Sequence, residues 1–246
     1  MPVYKAEAVV LRHRPLGEAD RVLTLFTREY GKLPAVARGV RKPTSKRSGA
    51  LEPFSHVRLL LARGRGAFDV LAQVEVVEGT GPLRADLRRF GQAALVAELA
   101  ESATPEREPQ PELFQLLVEA LRLLRQPEET PAALWFALRL ISMVGFQPAL
   151  ERCAVGGEDA GSAPAWSHPL GGVVCGRHAA RDPEAVRLRP GLVGVLRALL
   201  GARAAEVGKV DLAPDDGGLL LELVRRYAEH RLEVRLRSPG VLERLR

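Results

Sequence analysis

The chain has 246 residues, 46% of them hydrophobic and 27% charged, with a formal net charge of +6. That content is ample for one large or two modest packed domains, and no apolar run reaches the about eighteen residues that a membrane-spanning helix needs. Residues 1–80 hold fourteen Lys/Arg against eight Asp/Glu, which accounts for the whole excess, and the other 166 residues hold 22 of each sign.

Residues 3–78 read as strands. Val3 to Leu11 alternates around Tyr4, Ala6, Ala8 and Val10, and Arg21 to Phe26 gives a second run. Glu29-Tyr30-Gly31-Lys32 is a turn from which Leu33 to Ala37 returns. Phe54 to Leu61 and Ala67 to Val77 follow, joined by Arg63-Gly64-Arg65-Gly66, which suits a tight hairpin. Five short strands separated by turn signals predict a closed OB-type barrel, with an SH3-like barrel as the alternative, because strand count does not set topology. The alternation from the first residues onward argues against a signal peptide, so the expected compartment is the cytoplasm.

Between the third and fourth strands runs Gly31 to Phe54. It gathers Lys32, Arg38, Arg41, Lys42, Lys46 and Arg47, with no acid before Glu52. Gly39, Pro43, Ser45, Ser48 and Gly49 argue against regular structure in its middle, so it reads as a basic surface loop. Most charge runs are only solvated surface. The Ala, Leu and Gly richness that accompanies Arg throughout resembles a coding bias toward G and C, so Arg abundance alone says nothing about nucleic acid. Its asymmetry does: a basic first third beside a neutral remainder points to an anionic partner on one face.

Near Gly79-Thr80-Gly81-Pro82 the apolar spacing turns helical. Phe90 to Ala100 is one helix, followed by a Pro-rich break at Thr104 to Pro111. Pro111 to Leu124 carries Leu113, Leu117, Ala120, Leu121 and Leu124 on one face. Thr130-Pro131 reads as an N-cap followed by Pro at the first helical position. The helix after it turns Leu134, Leu138, Ile141 and Met143 or Val144 inward, and Gly145 and Pro148 stop it. Residues 150–181 break the helical pattern with glycines and both cysteines. Asp182-Pro183-Glu184 reads as a helix start, Leu192 to Leu200 and Leu219 to Leu232 as further helices, and Pro239 to Leu245 as a last segment. The expected fold class is therefore α+β and multidomain. An OB-type barrel is expected over 1–80 and an α-helical domain over 81–246, interrupted at about 150–181 by the segment that holds both cysteines.

Cys153 and Cys175 are the only cysteines, too few for a disulfide framework in a cytoplasmic chain. Cys153-Ala-Val-Gly156 and Cys175-Gly-Arg-His178 look like two halves of a zinc knuckle, in which each turn presents two ligands. Cys153, Cys175 and His178 are candidate ligands, and Gly156 stands where a fourth belongs. Asp159 is the expected substitute, with His168 as the alternative. A structural zinc fits better than a catalytic one, since no histidine begins the H-x-E pattern of zinc deaminases.

Other enzyme motifs are missing. Gly31-Lys32 and Gly208-Lys209 complete no phosphate-binding P-loop, and neither a G-x-S-x-G elbow nor an H-E-x-x-H helix occurs. Nucleic-acid binding survives this sieve, with Arg12, Arg14, Lys32, Arg38, Arg41, Lys42, Lys46 and Arg47 as the candidate DNA-contacting residues. Aromatic platforms are thin: Tyr4, Phe26, Tyr30, Phe54 and Phe68 are all that residues 1–80 offer. The expectation is phosphate contact with little base preference and a steep salt dependence. The alternatives are a protein-interaction scaffold whose basic loop docks an acidic protein, and a zinc-dependent nucleic-acid enzyme.

The segment Gly17-Glu-Ala-Asp-Arg-Val-Leu-Thr-Leu-Phe-Thr-Arg-Glu-Tyr-Gly-Lys32 resembles the second strand and following turn of the bacterial recombination mediator family RecO. Ala37-Arg-Gly-Val-Arg41, Leu51-Glu-Pro-Phe54, Gly171-Gly-Val-Val-Cys175 and Arg237-Ser-Pro-Gly-Val-Leu242 continue the resemblance in family order. It implies an N-terminal OB domain, a helical domain and a zinc-knuckle insertion whose four-cysteine pattern is altered here at Gly156 and His178. It also implies a non-enzymatic role: binding single- and double-stranded DNA, annealing complementary strands, and helping recombinase load onto DNA coated by single-strand-binding protein. The implied partners are RecR, the C-terminal tail of single-strand-binding protein and, as a further candidate, RecF. The implied location is the bacterial nucleoid.

Overall fold

The computed structural model describes residues 2–43, 45, 47–64, 66–126, 131–161 and 164–238. Two compact units emerge, one built on Met1–Arg125 and rejoined by the chain at Arg237, the other on Gln126–Leu236.

In the first unit, β1 (Val3–Leu16), β2 (Asp20–Thr27), β3 (Gly31–Ala37), β4 (His56–Ala62) and β5 (Asp69–Glu78) close a barrel in the order β1-β2-β3-β5-β4. The closure is a parallel pairing of β3 with β5, Ala35 opposite Asp69 and Val36 opposite Val70. This order is that of an OB barrel and settles the choice against the SH3-like alternative. β1 serves two neighbours, pairing Val3–Val9 with β4 and Ala8–Leu16 with β2. A register shift between Val10 and Arg12 marks a bulge that interrupts the alternation. The sequence pattern therefore ends the strand at Leu11, five residues short of its observed end.

Ala6, Ala8, Val10, Leu23, Leu25, Leu33, Ala35, Val57, Leu59 and Leu61 fill the barrel. Val40 and Leu51, both fully buried, enter the same core from the basic loop. The loop is thus anchored at both ends by apolar side chains, and its short helical turn at Gly49–Leu51 delivers the second anchor.

Among the described residues, three helices complete this unit: α1 (Gly81–Arg84), α2 (Leu87–Ala103) and α3 (Pro111–Arg125). Asp86 caps α2 by accepting from the N–H groups of Arg88 and Arg89 at 2.8 and 3.1 Å. Phe114 of α3 lies 6.0 Å from the rings of both Phe26 and His56, so helices cover barrel positions that would otherwise face water. Between α2 and α3 the chain runs along β3, where Arg107 N–H donates to the Lys32 carbonyl at 2.8 Å. Gly31, at φ +67°, admits that approach: a Cβ there would stand 2.1 Å from the Glu108 carbonyl oxygen. Arg125 ties the helices to the barrel, donating to the carbonyls of Phe54 at 2.7 Å and Gly79 at 3.0 Å and pairing with Glu78 at 3.2 Å. The change of period near Gly79 therefore marks a change of secondary structure inside one packed unit.

The second unit contains α4 (Ala132–Met143), β6 (Ala165–Ser167), β7 (Gly172–Val174), α5 (Gly176–Ala179), β8 (Val186–Arg187), α6 (Leu192–Gly201), α7 (Ala204–Val207) and α8 (Pro214–Leu232). α4 packs against α6 and α8 and is buried almost all round, not along one stripe. Met143 is the exception, 39% exposed, so it does not turn inward as the spacing suggests. Pro131 occupies the cap position of α4, and Thr130, the expected cap, lies outside the described residues, as does the expected segment Pro239 to Leu245. Asp182-Pro183-Glu184 starts no helix. Asp182 accepts from the Ser167 hydroxyl at 2.6 Å and the Glu184 N–H at 2.9 Å, and the turn feeds β8 into a small sheet of order β7-β6-β8. A buried carboxylate bonded to Ser167 outcompetes its use as a helix cap. Among the described residues, no helix is long and apolar enough to cross a membrane.

Candidate functional site

The basic loop lies against the β1–β2 hairpin. Gly39, at φ +65°, donates its N–H to Asp20 Oδ1 at 2.7 Å, and Arg41 N–H donates to the Ala19 carbonyl at 2.9 Å. The guanidinium of Arg41 reaches the Gly17 carbonyl at 2.8 Å, and that of Arg47 the Arg38 carbonyl at 2.9 Å. Each of these bonds uses one N–H of a guanidinium that has five. Arg38, Arg41 and Lys42 are exposed and Arg47 is half-buried. Among the described residues of the loop, Gly39 and Arg41 are thus tied to the hairpin.

The eight candidate DNA-contacting residues separate by environment. Arg38, Arg41, Lys42 and Arg47 share the loop, and exposed Arg14 on β1 lies 6.0 Å from the centre of the Phe68 ring. Arg12 and Lys32 are already engaged by α2: Arg12 pairs with the Glu101 carboxylate at 2.8 Å, and Lys32 Nζ donates to the Glu101 carbonyl. Burial lowers the Lys32 pKa against the pull of Glu101 and Glu106. Lys46 lies outside the described residues. The aromatics confirm the shortage of stacking platforms: Phe26 and Phe54 are buried, and Tyr4 donates to Asp69 at 2.6 Å with Tyr30 packed edge-on against it. Burial and the Asp69 carboxylate raise the Tyr4 pKa well above its ordinary value.

Cys153, Cys175 and His178 come together in the second unit, and the fourth member of their group is Glu158. The sulfur of Cys153 lies 3.2 Å and that of Cys175 3.4 Å from His178 Nδ1. Glu158 Oε1 is 3.1 Å from the Cys175 sulfur and 3.3 Å from the same nitrogen. Tetrahedral zinc, with bonds of about 2.3 Å to sulfur and about 2.0 Å to nitrogen and oxygen, places such donors roughly 3.3–3.8 Å apart, so the residues present fit a metal. Burial resists ionisation of Cys153, but N–H groups of Cys175, Gly156 and Val155 and the His178 ring lower its thiol to about 6. The Cys175 thiol, foremost, brings Glu158 down to about 2. The His178 N–H favours a Cys175 thiolate, yet Glu158, burial and Cys153 together push its pKa up.

Neither expected fourth ligand joins this group. Asp159 turns its carboxylate back to the Gly161 N–H at 2.6 Å, and His168 packs its ring 5.7 Å from His230. Gly156 explains the substitution. A Cβ there would meet Glu158 Oε2 at 1.8 Å and His178 Cε1 at 2.8 Å. The missing side chain leaves room for a carboxylate two residues on, and Cys153 N–H holds that residue by its carbonyl at 2.8 Å. A glycine at a ligand position beside an acid is the signal that spacing alone did not weigh.

Sequence patterns also gave no sign of a cavity of about 640 Å³ in the second unit, lined by Phe146, Leu150, Leu170, Tyr227, Arg152 and Arg231 among others. Arg231 lies over the Tyr227 ring at 5.1 Å, and its buried Nε has no hydrogen-bond partner. Phe146 is 41% exposed at the same cavity. The lining is mixed, with Arg152, Arg231 and Glu151 beside the apolar side chains.

An OB barrel with a basic loop, followed by a helical unit with a Cys/Glu/Cys/His group, defines the class: a multidomain OB-fold protein. Comparison with known proteins resolves it further. Residues 1–80 match the family model "Recombination protein O N terminal" and residues 84–240 match "Recombination protein O C terminal". The DNA repair protein RecO of Pelotomaculum thermopropionicum is 40% identical over 244 residues, covering 99% of this chain and 95% of that one. The protein of the same name from Heliobacterium modesticaldum is 37% identical, covering 99% and 90%, and that from Symbiobacterium thermophilum 36%, covering 100% and 99%. The chain belongs to the RecO family, and its role lies in DNA repair and recombination.

Proposed function

We propose that this chain is a non-enzymatic recombination mediator that binds single- and double-stranded DNA through phosphates, anneals complementary strands, and with RecR helps recombinase load onto DNA coated by single-strand-binding protein. The observation that carries the reading is the cluster of Arg38, Arg41, Lys42 and Arg47 on a loop whose backbone is pinned to the barrel. Exposed Arg14, on β1, adds a further cation of the barrel. Phosphates neutralised on one surface repel less, so two strands held there can begin to pair. With aromatic platforms so few, contact falls on backbones, which suits a protein that must accept any sequence.

In this reading residues 1–80 contact DNA and residues 81–246 contact protein partners, at the bacterial nucleoid in the cytoplasm. RecR and the tail of single-strand-binding protein are the partners, with RecF a further candidate. Any C-terminal tail ends in a carboxylate, and the cavity sets Arg152 and Arg231 beside apolar side chains, so we assign the tail to it. Zinc, held by Cys153, Glu158, Cys175 and His178, would cross-link the two turns and act structurally.

The deciding experiment is oligonucleotide binding across salt concentrations, for wild type and for Arg38→Ala/Arg41→Ala/Lys42→Ala/Arg47→Ala. The slope of log affinity against log salt should shrink by about 0.7 for each phosphate of single-stranded DNA that the variant no longer neutralises. An unchanged slope and affinity would return the loop to a protein-docking role.

A further inference from the structure

Asp20 is an acid bonded to the backbone of the basic loop. By charge alone it opposes DNA, and its removal should strengthen binding. The geometry gives it a different task. Its Oδ1 accepts the Gly39 N–H at 2.7 Å, at the glycine where the chain turns left-handed to leave β3 and enter the basic loop. Two residues on, Arg41 N–H meets the Ala19 carbonyl, and the Arg41 guanidinium meets the Gly17 carbonyl. The hairpin thus holds the loop through one carboxylate and two carbonyls, and Arg38, Arg41 and Lys42 flank the held glycine directly.

We infer that Asp20 is a positioning residue for phosphate contact: it fixes the loop so that its cations reach consecutive phosphates together. Without the bond, the cations remain but sample many arrangements, and each binding event must order them. The inference rests on the DNA-binding reading of the loop and adds to it a residue that touches no DNA.

The charge and the hydrogen bond can be separated because asparagine keeps an acceptor oxygen and loses the charge. Binding of the full chain to a thymidine oligonucleotide would be measured across salt for wild type, Asp20→Asn and Asp20→Ala. Asp20→Asn should bind as wild type or up to about twofold tighter. Asp20→Ala should bind roughly three- to tenfold weaker, the scale of one missing hydrogen bond, and show a shallower salt slope although no cation has been removed. Amide hydrogen exchange at Gly39 and Arg41 should accelerate in Asp20→Ala alone, with the melting of the barrel as the control for folding. Equal gains in affinity for both variants would overturn the inference and make Asp20 a purely repulsive charge. Loss of affinity together with a collapsed melting transition, and no selective exchange at Gly39, would overturn it in favour of a general structural role. A wild-type chain that binds no DNA would overturn the underlying reading along with this one.

Discussion

Glu158 Oε1 lies 3.3 Å from His178 Nδ1, in the space that Gly156 leaves by having no side chain. A carboxylate therefore completes a donor group that the turn spacing would give to a thiolate. Two sulfurs, one nitrogen and one oxygen make a harder set than four thiolates.

This donor set should bind one zinc per chain, and Glu158→Gln should weaken it by at least about tenfold, as read by competition with a chromophoric chelator. Gly156→Cys combined with Glu158→Ala should restore or exceed wild-type affinity, because it supplies the missing thiolate and removes the side chain it would strike. Affinity should also fall as pH falls. Cys153 ionises with a pKa of about 6, whereas Cys175 is raised, so zinc must displace the Cys175 proton at neutral pH and competes with it more poorly in acid. A pH-independent affinity would exclude Cys175 from the site.

Lys32 and the loop cations should behave differently on mutation. Lys32 Nζ donates to the Glu101 carbonyl, and its pKa is lowered chiefly by burial. Lys32→Ala should cost about 1–2 kcal/mol of stability through the missing bond and the orphaned carbonyl, seen as a lower melting temperature. It should leave the salt slope of DNA binding within about 0.3 of wild type, well under the roughly 0.7 that one neutralised phosphate contributes. A slope shallower by about 0.7 at unchanged stability would place Lys32 on the phosphates after all.

Arg231 gives a test of the tail assignment. If its guanidinium receives a terminal carboxylate, Arg231→Gln should weaken a fluorescent tail peptide by roughly tenfold or more, the scale of a charge-assisted hydrogen bond. Amidating the peptide's C-terminus should cost wild type a similar factor and cost Arg231→Gln little further. Additive losses would mean that the arginine and the carboxylate do not meet.

Much of the barrel is legible in the sequence because a half-buried strand must alternate, and Ala6, Ala8 and Val10 do so whatever surrounds them. The reading weakens where an outside surface is covered. Phe26 is buried against Phe114, on a helix that begins more than eighty residues later, and the bulge at Leu11 hides the second half of β1. The basic loop is visible as a charge run, but not its attachment: Val40 and Leu51 enter the core, and Asp20 holds Gly39, through contacts that no local period encodes. At the metal group the turns identify Cys153, Cys175 and His178 by type and spacing, whereas the fourth member depends on the space above one glycine.

The sequence by itself determined that strands precede helices, that the net positive charge sits in the first third, and that two turns carry thiols and an imidazole. These are properties of residue type and short spacing, which act over a few bonds of chain. Only the tertiary structure decided that β3 closes on β5, that Arg12 and Lys32 bond to Glu101 of α2 while the guanidinium of Arg41 bonds to the β1–β2 hairpin, and that Glu158 takes the place of Asp159. Those outcomes turn on which distant groups meet within about 3 Å, the range over which a hydrogen bond or a metal bond has its strength.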